Sequence, residues 1–191
     1  MPPADARAPV PLVHPAQPPV LVSLLGPSGA GKTTLAARLV AYWQARGLRV
    51  GYGKHASHGF QMDREGKDTW VLSEAGASGV AVTGPGGTAF LERGPEAAAA
   101  TLVDRFFGTH HVVVLEGFRF AALPAVVVAA AETADAALAT ARGAVVALAT
   151  PDGRGPAGVP AVARDDVAAV ASLVEAALFP ASLRRVVRSE G

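Results

Sequence analysis

The chain has 191 residues, a formal net charge of +1 and no cysteine, a size that suits a full hydrophobic core. The near-neutral balance excludes a large basic field that would hold nucleic acid or an acidic membrane by charge alone. The absence of cysteine excludes disulfides, thiolate metal sites and a cysteine nucleophile, and fits a reducing compartment such as the cytoplasm.

Seven of the 15 prolines fall in the first 19 residues. Proline removes backbone donors and disfavours helix in the residue before it, so Met1 to Pro19 is expected to be an extended tail. It lacks the charged-then-apolar pattern of a signal peptide. Val20 to Leu25 is a short apolar run ending at glycine, the pattern of a buried strand. A helix is predicted over Thr33 to Arg46, with Leu35, Leu39 and Tyr42 or Trp43 at helical spacing and Gly47 placed to end it. Leu48 to Gly53 reads as a second strand. The chain is then polar and irregular from His55 to Lys67, before a short helix at Asp68 to Ala75 closed by Gly76. Gly79 to Thr83 and Thr88 to Glu92 flank Gly84-Pro85-Gly86-Gly87, a turn signal that predicts a hairpin.

Pro95 to Phe107 is predicted as a helix with proline in its first turn. His111 to Leu115 is a continuous apolar, β-branched run, as expected of a strand buried on both faces. Ala121 to Ala131 is the longest apolar stretch. It is too short for the ~18 residues of a membrane span, is interrupted by Pro124, and reads as a buried strand centred on Val126 to Val128. Ala134 to Arg142 is helical by propensity, Val145 to Leu148 a strand, Pro151 to Gly158 a loop, Val159 to Val162 a last strand and Asp165 to Leu178 a last helix. Residues 181–191 are expected to form a C-terminal tail, leaving 20–180 as the folded domain. Alternating strands and helices predict an α/β three-layer sandwich around a mostly parallel sheet, with the hairpin as an extension.

Gly26-Pro27-Ser28-Gly29-Ala30-Gly31-Lys32-Thr33 matches G-x-x-x-x-G-K-[ST] in full, after an apolar strand and at the start of an amphipathic helix. This is the phosphate loop of P-loop NTPases. Its glycines let successive N–H groups turn toward phosphate oxygens, and the helix directs its positive end to the same place. Lys32 can reach the β- and γ-phosphates, the Thr33 hydroxyl can ligate Mg²⁺, and Thr34 can reach the α-phosphate region. The strand before Glu116-Gly117 delivers a carboxylate to its end. There Glu116 can hold a magnesium-bound water or orient an attacking one, or it simply reaches solvent.

Strand ends on this side of an α/β sheet face a ligand crevice. The segment Lys54 to Asp68 is therefore expected to overhang the phosphates, with Lys54 and Lys67 as anion contacts and Asp63 or Asp68 as magnesium ligands through water. His55, His58 and Asp63 could form a site for a Zn²⁺-like ion, or belong to a polar loop that contacts an anionic ligand.

At these residues the sequence resembles the MobB family of molybdopterin-guanine dinucleotide biosynthesis adapter proteins. Four blocks in family order carry the likeness. They are Gly26 to Leu35; Lys54-His55 with His58, Asp63 and Gly66-Lys67-Asp68-Thr69; Ala75-Gly76-Ala77; and Leu115-Glu116-Gly117-Phe118-Arg119, where the family typically shows Glu-Gly-Phe-Lys. The resemblance implies a GTP-binding homodimer with weak Mg²⁺-dependent hydrolysis, which assists the guanylyltransferase that joins GMP to molybdopterin. It implies that Gly26, Ser28, Gly29, Ala30, Gly31, Lys32, Thr33 and Thr34 hold nucleotide, with Lys32 and Glu116 acting in hydrolysis. Lys54, His55, His58, Lys67 and Arg119 would line the anion or pterin side. The chain departs from the family at Leu123 to Val128, which lacks the family's basic residues.

No Asn-Lys-x-Asp guanine signature is present. Asp152 follows the strand near Thr150 and can accept from guanine N1 and N2, or serve as the turn residue of Pro-Asp-Gly. The alternatives are a P-loop small-molecule kinase using ATP, for which no arginine-rich lid is visible, and an interaction module that pairs through its hairpin. No arginine finger or water-positioning glutamine follows Glu116, so hydrolysis is expected to be slow.

Overall fold

The computed structural model describes residues 17–189. Most of the tail expected over residues 1–19 lies outside them. Two compact units are present, one of residues up to His55 together with those from Ala99 onward, the other Ala56–Ala98.

The first unit is built on a six-stranded sheet. Its strands in chain order are β1 (Val20–Leu25), β2 (Val50–Lys54), β5 (Val112–Glu116), β6 (Ala125–Val128), β7 (Val145–Thr150) and β8 (Ala161–Ala163). They lie side by side in the order β2-β5-β1-β6-β7-β8, and every neighbouring pair is parallel. Helices α1 (Lys32–Gln44), α3 (Ala99–Phe106), α4 (Ala134–Leu138), α5 (Val167–Leu178) and α6 (Ala181–Ser189) belong to the same unit.

Strand alternation explains the three layers. Val22, Leu24, Val112, Val114, Val126 and Val128 point to one face, where they pack with Leu35, Leu39 and Trp43 of α1 and Val170 and Val174 of α5. Their neighbours point to the other face. There Leu25, Val127 and Leu148 pack with Ala134 and Ala137 of α4, while Val113 and Leu115 pack with Ala99 and Val103 of α3. Both faces are covered, which is why β5 reads as an uninterrupted apolar run. Trp43 is fully buried and satisfies its indole N–H on Glu175 Oε1 at 2.9 Å.

Three elements differ from the sequence expectation. The helix expected from Pro95 begins at Ala99, and that expected to reach Arg142 stops at Leu138. Residues 181–189, expected as tail, form α6, with Pro180 accepting from the N–H groups of Leu183 and Arg184 and Val187 buried in the core.

In the second unit α2 (Asp68–Glu74) precedes the antiparallel hairpin β3 (Gly79–Gly84) and β4 (Gly87–Glu92), joined through Pro85-Gly86. Arg93 donates to Ser73 Oγ at 2.7 Å and pairs with Glu74. The β3–β4 pair is a two-stranded sheet of its own.

Candidate functional site

In the large sheet β1 lies between β5 and β6, and the chain leaves it first to one side and later to the other. Such a reversal opens a crevice outside the C-terminal ends of parallel strands. The loop after β1 sits at this point. Gly26, Gly29 and Gly31 have φ of 139°, 76° and 93°, values that residues with a Cβ rarely adopt. At Gly26 a Cβ would also collide with the carbonyl oxygen of Val128 on β6. The loop can therefore pass close to β6 only because the residue is glycine.

Lys32 opens α1, and its ammonium donates back to the carbonyls of Gly26 at 3.1 Å and Pro27 at 2.7 Å. It thus spans the mouth of the loop that precedes it. Thr33 follows, and its hydroxyl donates to both carboxylate oxygens of Glu116, at 3.1 and 2.9 Å. Thr34 is exposed in the same first turn. Glu116 ends β5 and is only 5% exposed. It also accepts from the Tyr52 hydroxyl at 2.8 Å and lies 3.5 Å from Lys54 Nζ. The cross-strand register explains this, because Lys54 is the partner of Glu116 where β2 runs beside β5.

The electrostatics follow from these contacts. Burial pushes the Glu116 carboxyl up, but hydrogen bonds from Tyr52 and Thr33 and the charge of Lys54 outweigh it, and its pKa falls below the ordinary value. Tyr52 is pushed far up, first by burial and then by the carboxylate it donates to. Lys32 is lowered, chiefly by burial. Glu116 opposes that shift, and Lys54 and Arg119 add to it. A cationic loop mouth beside an ionised, acceptor-only carboxylate is the result.

The donor set fits a nucleoside triphosphate with magnesium. A glycine-lined loop suits an anion cradle, and the adjoining Thr33 hydroxyl and Glu116 carboxylate are hard oxygen donors of the kind that Mg²⁺ takes directly or through water. The structure thus brings Lys32, Thr33, Lys54 and Glu116 together. Arg119 lies close enough to act on the charge of Lys32. Beside them the His55 ring packs 5.7 Å from that of Phe118, and the His55 N–H donates to the Glu116 carbonyl at 2.9 Å.

Asp152 sits in the loop after β7. Its Oδ1 accepts from the Arg154 N–H at 3.2 Å and from Thr150 Oγ1 at 3.3 Å, so its carboxylate caps its own turn. His58, Asp63, Lys67 and Asp68 belong to the second unit. There Asp63 Oδ1 accepts from the Arg64 N–H at 2.8 Å, and Lys67 and Asp68 form the N-terminus of α2. Among the described residues no three His, Asp or Glu side chains gather to hold a metal ion.

Tyr52 was not expected at the site. Its signal is the alternation Gly51-Tyr52-Gly53-Lys54, which sets Tyr52 and Lys54 on one face of β2 and leaves the glycines on the other. Arg164 was also missed. It follows β8, and its Nη1 donates to the Ala30 carbonyl of the loop at 3.1 Å.

Residues 21–151 match the model of the family described as molybdopterin guanine dinucleotide synthesis protein B, MobB. A molybdopterin-guanine dinucleotide biosynthesis adapter protein of Haemophilus influenzae is 35% identical over 106 residues, which is 54% of this chain and 60% of that protein. The chain matches less than two thirds of the length of each of its curated relatives. The crystal structure of Bacillus subtilis MobB superposes with a TM-score of 0.69 at 26% identity, covering 83% of this chain and 98% of that one. A second crystal structure, of a molybdopterin-guanine biosynthesis protein B, gives 0.68 at 25% identity and covers 83% and 100%.

Proposed function

The chain belongs to the MobB family, and from that premise we propose that it binds GTP with Mg²⁺ and serves as an adapter in attaching guanine nucleotide to molybdopterin. The observation that carries the proposal is the phosphate loop whose Thr33 is hydrogen-bonded to the buried strand-end carboxylate of Glu116. Backbone N–H groups from Ser28 to Thr34 would hold the phosphates, with Lys32 over the terminal ones. Thr33 and Glu116 would hold Mg²⁺, directly and through water. The ion, when bound, neutralises phosphate charge.

The chain's own residues account for a slow reaction. Against the effect of burial, the pKa of Glu116 is lowered by Tyr52, Thr33 and Lys54, so it stays ionised near neutral pH and accepts hydrogen bonds but cannot act as a general acid. Lys54 and Tyr52 hold its oxygens in place. The residues after it are Gly117, Phe118 and Arg119, none of which orients a water as glutamine does. We therefore read it as a weak GTPase, mainly an accessory protein.

Asp152 is assigned to the guanine edge, because it extends from the loop after β7 with an exposed carboxylate. Lys54, His55, His58, Lys67 and Arg119 are assigned to the anion or pterin side, and Asp63 and Asp68 to water-mediated contacts with the ion. The natural partner of such an adapter is the molybdenum cofactor guanylyltransferase, in the cytoplasm. A homodimer is the proposed assembly, supported by exposed Val82 and Phe90 on the β3–β4 hairpin.

Calorimetric titration with GTP and ATP, each with Mg²⁺, tests the proposal. Tight GTP binding, weak ATP binding and a loss of at least about a hundredfold in Lys32→Ala are expected, since one charged phosphate contact is removed. A preference for ATP would transfer the assignment to a small-molecule kinase, and binding of neither nucleotide would overturn it.

A further inference from the structure

The phosphate loop is gripped from outside by a residue that its motif does not contain. The N–H of Arg164 donates to the Thr150 carbonyl at 2.7 Å, which fixes the residue beside the end of β7. Its guanidinium then reaches the loop and donates to the carbonyl of Ala30 at 3.1 Å. No peptide bond among the described residues is cis. In the trans Ala30–Gly31 peptide the C=O and N–H point in opposite directions. A cation held on the carbonyl therefore turns the Gly31 N–H away from Arg164 and fixes the plane of the peptide. The arginine also packs closely against this glycine, because a Cβ there would meet its Nη1, Cδ and Cζ at 3.1, 3.2 and 3.4 Å. The bond is charge-assisted, hence stronger than a neutral one, and it polarises the peptide so that its N–H becomes a better donor.

We infer that Arg164 is a positioning residue for phosphate binding, which presets the Ala30–Gly31 peptide so that the Gly31 N–H is offered to a nucleoside di- or triphosphate. The inference rests on the nucleotide reading above and adds a device supplied by the edge strand β8. Asp165 neighbours the device without belonging to it. It lies 3.8 Å from Arg164 Nε and pairs with Arg38 of α1 at 2.6 Å. Arg38 thus belongs to the same corner without touching the loop carbonyl, which makes it the control.

The test compares wild type, Arg164→Ala, Arg164→Lys and Arg38→Ala by GDP and GTP titration with Mg²⁺, together with the Gly31 amide resonance in nucleotide-free protein. Arg164→Ala is expected to bind both nucleotides about tenfold more weakly and to shift that resonance, with Arg164→Lys retaining most of the affinity. Arg38→Ala is expected to stay within about twofold of wild type. Should Arg164→Ala fail to fold, Arg164→Gln, which keeps a donor without the charge, takes its place with an expected loss of about threefold. Unchanged affinity in the Arg164 variants, with wild type binding nucleotide, overturns the inference alone. So does an equal loss in Arg38→Ala, because the corner as a whole would then be responsible. Wild type that binds neither nucleotide overturns the nucleotide reading and this inference with it.

Discussion

Glu116 is the residue on which the site is organised. A buried carboxylate is costly unless its oxygens are occupied, and here Thr33, Tyr52 and Lys54 occupy them. The pH consequence has a definite sign. The folded-state pKa is lowered, so as pH rises through the ordinary carboxylate range the unfolded chain holds the proton longer and stability increases. The contribution is complete above the unfolded value and is lost as pH falls through the folded one. Glu116→Gln is therefore expected to flatten the acid limb of a melting profile recorded over roughly pH 3 to 6. An acid limb as steep as that of wild type would show that other carboxylates govern it. Tyr52→Phe removes one of the donors that stabilise the ionised form. It is expected to move the apparent pKa of Glu116 upward, read from the carboxyl carbon resonance, and no movement would separate the tyrosine from the carboxylate.

At the scale of elements, β2 shows how a helix is admitted to a sheet. A Cβ at Gly51 would collide with the Phe107 ring, and one at Gly53 would meet Leu115 and Leu102 at 2.8 and 3.0 Å. The two glycines make room for the side chains of α3 and the residue after it. Gly51→Ala is expected to destabilise by about 1–3 kcal/mol through overpacking, measured by denaturant unfolding, and an unchanged midpoint would mean that Phe107 moves aside freely. Such packing marks the limit of what was legible in the sequence. The central strands, α1, the hairpin and the loop from Gly26 to Thr34 were readable because periodicity and turn residues are local signals. The start of α3 was not, because Ala97 to Ala100 have equal propensity and the burial of Ala99 and Val103 decides between them. The helix α6 falls in the stretch expected as tail, where the carbonyl of Pro180 opens a new helix by accepting from Leu183 and Arg184. Within the site, Lys32, Thr33 and Glu116 followed from motif and strand end. Tyr52 required the β2–β5 register, and Arg164 required β8 to lie at the sheet edge beyond β7. Neither pairing is encoded by neighbours in the chain.

For the whole molecule, burial is divided unevenly between the two units. The core strands of the first unit are closed off on both faces, whereas between residues 56 and 98 only Ser73 is buried. Regions with few buried apolar contacts open at low free energy. Amides of β1, β5, β6 and β7 are therefore expected to exchange with solvent slowly, and those of 56–98 quickly. Nucleotide then becomes a probe of both units. A ligand that binds only the folded state adds about 2.7 kcal/mol at a hundredfold excess over its Kd, and this must appear where it makes contacts. With GTP and Mg²⁺, slower exchange is expected at 26–34 and 112–116, around the loop and Glu116. Because His58 and Lys67 are assigned to the anion or pterin side, and Asp63 and Asp68 to the ion through water, slower exchange is expected at 56–68 as well. Protection of 26–34 with no change at 56–68 would remove those four residues from the nucleotide side, and repeating the measurement with molybdopterin present would then show whether the pterin orders them instead.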